Sequence, residues 1–106
     1  MNYIDLSDEK PKHLKEWGEE GQRLAGDAEH WFTAGLHESE SLYMVAVIVK
    51  AADGEYYAHG VSKTSDGSYV GHADKDIVQQ AADHLNEKYG LTKTQLKGRI
   101  PVAGRH

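Results

Sequence analysis

Seven histidines and seventeen carboxylates, with no cysteine, bound the chemistry open to this chain of 106 residues. Without a thiol there is no disulfide, no thiolate nucleophile and no cysteine-bearing zinc site. A zinc centre would have to gather three of His13, His30, His37, His59, His72, His84 and His106 with a carboxylate, since imidazole and carboxylate are the donors left. No two histidines stand four apart, so no helix offers a ready ligand pair. His59 and His72 are the one pair that a sheet edge could bring together around a small ligand. The spacing predicts surface histidines, no bound metal and no cofactor. There is no glycine-rich phosphate loop and no spacing of serine, histidine and aspartate, or of two carboxylates, that suggests catalysis. The expectation is a protein that binds rather than an enzyme.

Gly71-His72-Ala73-Asp74, opening a helix after Val45–Val49 and the Asp53-Gly54 turn, resembles the first half of the zinc-dependent cytidine and nucleotide deaminases. The resemblance covers about forty residues. It would make His72 the zinc ligand and put Asp74 where that family carries its general acid/base glutamate. The departures are a missing Pro-Cys-x-x-Cys and an aspartate one methylene shorter than glutamate. A small nucleotide binder or degenerate deaminase-like protein is accordingly one alternative function.

Charge supplies the leading reading. The net charge is −5, and it is unevenly spread. Residues 1–55 hold twelve acids against five Lys/Arg, and no acid follows Glu87. Glu16, Glu19, Glu20, Asp27 and Glu29 are expected on the wet side of one helix, as an acidic face for a basic partner. The tail presents Lys93, Lys97 and Arg99. Ala81-Ala82, Leu85 and Tyr89, the turn Gly90-Leu91-Thr92 and a recognition helix Lys93–Ile100 resemble a helix-turn-helix, which makes a DNA-binding regulator the second alternative. The element order also resembles a double-stranded-RNA-binding domain. Asp74, Lys75 and Asp76 then stand where such domains need bases, so nucleic acid is the less favoured partner.

Several elements must position these residues. Ser7 and Asp8 signal a helix start. Leu14, Trp17, Gly21, Leu24, Ala28, Trp31 and Gly35 recur at alternating three and four, the seam of a heptad. That predicts one long helix from Lys12 to Ala34, about 35 Å at 1.5 Å per residue. Too long for so small a body, it should overhang, break near Gly18, Gly21 or Gly26, or pack along a second copy, the last being favoured. Internal glycines weaken a helix by roughly 1 kcal/mol each, so compensation is expected from a second copy packed on Leu14, Trp17, Leu24 and Trp31. Leu42–Val49 reads as a buried strand, Asp53-Gly54 as a hairpin turn, Tyr56–Lys63 as the return strand. Ser68–Gly71 makes a short third strand. Asp74 caps a second helix with the apolar stripe Ile77, Val78, Ala81, Ala82, Leu85 and Tyr89, closed by Gly90.

The fold expected is therefore α+β, in the order α-β-β-β-α: a long N-terminal helix, a three-stranded antiparallel meander, a second amphipathic helix packed on the sheet, and a short basic tail. One domain spans 1–106, with 1–6 and 103–106 as flexible ends. Met1–Leu6, without a basic stretch followed by an apolar one, is not expected to be a leader, and the longest apolar run, Leu42–Val49, is far short of the roughly 20 residues a bilayer requires. A cytoplasmic location with no membrane contact is expected. By analogy of size and charge, the function expected is that of a non-catalytic accessory or inhibitory protein of the phage and mobile-element type. It would act as a homodimer on a host or foreign protein with a basic surface.

Overall fold

A computed structural model describes residues 3–38, 41–64 and 68–91, with side chains from His13 onward. The chain folds as α+β: β1 (Tyr3–Asp5), α1 (Leu6–Ala25), β2 (His30–His37), β3 (Leu42–Lys50), β4 (Tyr56–Gly60), β5 (Tyr69–His72) and α2 (Lys75–Tyr89). Residues 3–6, expected as part of a free end, instead form β1, parallel to β5, and the first residue of α1.

The long helix is corrected. α1 stops at Ala25 because Gly26 adopts φ 57 and its N–H returns to the Gln22 carbonyl at 3.0 Å, a left-handed termination that needs no Cβ. Residues 30–37 are then a strand paired with β3 at eight positions, from His30↔Val49 to His37↔Leu42. The heptad pattern through Trp31 and Gly35 competes here with a stronger demand. β3 is the most apolar segment of the chain, and a central strand needs a hydrogen-bonding partner on each side. As a strand, 30–37 supplies one and buries Phe32 and Trp31 on opposite faces of the sheet. α1 itself is about 30 Å long and does not overhang a body whose longest extent is 35 Å.

The sheet runs β1-β5-β3-β2, with β4 also on β3. β4 pairs with Ala46–Lys50 and β5 with Tyr43 and Met44, so they share the side of β3 opposite β2. Ser62 fills the junction between them. α2 matches the expectation closely: Asp74 accepts the Asp76 N–H, and Gly90 closes the helix at φ 64.

Alternation along β3 sends Val45, Val47 and Val49 to one face, where they meet Trp17 of α1, Phe32, and Val78, Ala81, Ala82 and Leu85 of α2. Ala46 and Ile48 point the other way and form a second cluster with Trp31 and Ala58, against which Tyr56 and Leu91 pack. Gly18 and Gly21 of α1 are compensated from within the chain. A Cβ at Gly21 would overlap the Phe32 ring, and one at Gly18 would come within 2.7 Å of the Tyr89 ring. Close approach of α1 to the sheet and to α2 offsets their poor helix propensity.

Candidate functional site

Glu16 and Glu19 project from the exposed side of α1. Glu20, beside them, accepts two hydrogen bonds from the Arg23 guanidinium, which hold its carboxyl below the usual range. Asp27 and Glu29 are exposed as well, but they sit in the turn between α1 and β2 and not on a helix face. The expected row of five acids on one helix is therefore corrected to three on α1 and two around its end.

Pairing of β2 with β3 brings that turn against the β3–β4 hairpin. The Glu29 carbonyl accepts the Lys50 N–H at 2.9 Å, and its carboxylate accepts the Tyr56 hydroxyl at 3.0 Å. Within the hairpin, the Tyr57 hydroxyl donates to Asp53 at 2.9 Å, while the other Asp53 oxygen accepts the Glu55 N–H. Both phenols are thereby held neutral to higher pH than usual, first through the hydrogen bond to carboxylate and then through burial and the nearby negative charge. The Tyr56 ring rests on Trp31, centroids 5.5 Å apart, with the Lys50 ammonium 5.9 Å from its centre. The Tyr56–Glu29 contact joins the turn after α1 to the hairpin on the Trp31 face of the sheet, while α1 itself covers the other face.

Sequence reasoning missed Asp53, Glu55, Tyr56 and Tyr57 as members of this surface. Asp53-Gly54 and Tyr56-Tyr57 read as turn and strand, and only the existence of β2 shows what lies beside them.

Of the four residues expected to form a dimer seam, three stay together on α1 and one, Trp31, leaves the helix. Leu14 and Leu24 pack on the chain's own core, and Trp17 is 1% exposed, its indole N–H donating to the Lys63 carbonyl at 3.3 Å. Trp31 lies on β2, on the opposite face of the sheet. The α1 stripe of Leu14, Trp17 and Leu24 is thus turned into the chain's own core, and Trp31 is not on it.

The histidines are dispersed by the fold. His59 pairs with Val47 and His72 with Tyr43, four residues apart on β3. That separates their backbones by about 13 Å along the strand. His72 Nδ1 accepts the Asp74 N–H at 2.9 Å, and Asp74 in turn caps α2. The His-Ala-Asp stretch is thus a hydrogen-bonded helix start. Among the described residues no group of three or more His, Asp or Glu could hold a metal ion. Of the helix-turn-helix-like segment only Ala81–Leu91 is described, as the second half of α2 and its Gly90 cap; Thr92 onward, with Lys93, Lys97 and Arg99, and residues 103–106 lie outside the described residues. No helix among the described residues is long and apolar enough to cross a membrane. Searches with protein-family models, curated proteins and solved structures returned no match.

Proposed function

We propose that the chain is a non-catalytic binding protein, of accessory or inhibitory type, that engages a basic protein surface through the acidic band from α1 to the β3–β4 hairpin. One observation carries this reading: the hydrogen bond from Tyr56 to Glu29 joins the acids that follow α1 to those of the hairpin. The band then offers seven carboxylates, Glu16, Glu19, Glu20, Asp27, Glu29, Asp53 and Glu55, against Lys15, Arg23, Lys50 and Lys63. Exposed charges of one sign steer a partner of the other sign and set its orientation. The two tyrosines add rigid aromatic surface, the kind on which arginine and lysine side chains stack.

The test is capture from a native lysate, followed by mass spectrometry, with wild type and a Glu16→Lys/Glu19→Lys/Asp27→Lys variant. Exposed carboxylates contribute little to folding, so the variant should keep its stability within about 0.5 kcal/mol. Wild type should retain a basic protein that the variant loses, with salt weakening the wild-type contact. The same proteins captured by both would overturn the reading.

A further inference from the structure

β2 is an edge strand, and its outer edge is half closed by α2 in an unusual way. Asn86, 9% exposed, donates to the Phe32 carbonyl at 2.8 Å and accepts the Phe32 N–H at 2.7 Å, so its amide stands where a neighbouring strand would. Gln79, two helical turns earlier, accepts the Ala34 N–H at 3.1 Å. Phe32 and Ala34 therefore turn their backbone groups away from β3, and by the two-residue period so does Leu36. The amides end there. No described residue caps the outward N–H and C=O of Leu36, and its side chain, 46% exposed, is the large apolar group left open among the described residues. An edge in this state is a template for another strand.

Charge selects the occupant. Asp76, Asp83 and Glu87 stand on the outer flank of α2 toward Gln79 and Asn86, against the cation Lys75 there, and Gln79 donates to Asp83 at 2.8 Å. A second copy adding its own β2 would bring an identical acidic flank against this one, and like charges so placed repel. A basic strand meets opposite charge. We infer that the Ala34–Leu36 edge of β2 accepts an extended segment of the partner by strand addition, with lysine or arginine at every second residue under the α2 flank. This rests on the reading of a basic partner, but it places a contact away from the α1 band.

The probe is a synthetic alternating Lys-Val peptide, with two versions N-methylated either at every lysine or at every valine. Along a strand only alternate N–H groups face the neighbour, so one methylated version should lose roughly tenfold or more in affinity and the other should bind nearly as well as the parent. In antiparallel addition the lysine-methylated peptide is the one that fails. Leu36→Pro, a substitution edge strands tolerate, should weaken the parent peptide similarly; if that variant does not fold, the two methylated peptides still decide. No binding of the parent peptide at low salt, or equal binding by all three, sinks the inference. So does loss of the parent peptide in the Glu16→Lys/Glu19→Lys/Asp27→Lys variant with full binding by Leu36→Pro. That last result would move the peptide to α1 and leave the proposed function standing.

Discussion

The Ser62 hydroxyl is fully buried and has both of its hydrogen-bonding roles filled: it accepts the Val45 N–H at 2.9 Å and donates to the Val70 carbonyl at 2.7 Å. It closes the sheet at the point where β4 gives way to β5, and two strands depend on it. Ser62→Ala leaves a donor and an acceptor unpaired in the core, which costs about 2 kcal/mol. Thermal unfolding should show a midpoint lower by about 10 °C, and a shift of a degree or two would contradict this role. At the surface, Tyr56 gives a test with a defined sign. Its hydroxyl donates to Glu29, which raises its pKa above the ordinary 10.0. A raised folded value means the contact is fully present below the unfolded pKa and is lost as pH climbs through the folded one. In an alkaline spectrophotometric titration, Tyr56 and Tyr57 should ionise later than an unperturbed tyrosine, and Glu29→Gln should bring one of them forward. An identical titration curve in that variant would remove Glu29 as the cause. Neither role is written in the residue type, since the local sequence of Ser62 or Tyr56 names no partner.

At the scale of elements, α2 was readable almost to the residue because its signals are local: Asp74 at the start, an apolar stripe, and Gly90 at the end. α1 was readable only in part. Its heptad spacing continues past Ala25, and the residues that end it act through different ranges. Gly26 acts locally, whereas the pairing of 30–37 with β3 spans the chain. The glycines of α1 were legible as anomalies, though not as contacts. In an exposed helix, glycine to alanine gains about 1 kcal/mol. Gly21→Ala should instead destabilise by about 2 kcal/mol, because the new Cβ overlaps the Phe32 ring and lies 3.5 Å from Val47 in a closed core. Gly18→Ala meets the outer end of Tyr89, which is only half buried and can turn aside, and Leu85 Cδ2 at 3.1 Å in the core, so it should cost less than Gly21→Ala, about 1 kcal/mol. Chemical denaturation of both variants checks the pair, and a gain of stability in Gly21→Ala would show that the helix does not approach the sheet so closely.

For the whole molecule the sharpest test is Trp17, which heptad spacing places in a dimer seam and the structure places in the core. On a seam, Trp17→Glu would give folded monomers. At 1% exposure it strips a large ring from the core and buries a carboxylate, a loss of about 4 kcal/mol or more. The expected outcome is loss of near-ultraviolet circular dichroism and of cooperative unfolding, whatever the protein concentration. A folded variant of halved mass would restore the seam. The division between readable and unreadable follows from range. Fold class, the hairpin at Asp53-Gly54, the whole of α2 and the acidic bias of the first half are properties of neighbouring residues, so the amino-acid order alone specifies them. The end of α1, the partner of β3, the separation of Trp17 from Trp31 and the meeting of Glu29 with Tyr56 each join residues distant in the chain. Local preference is nearly neutral there. The balance is tipped by the need to pair the backbone of a buried central strand, and that is settled only when the chain closes on itself.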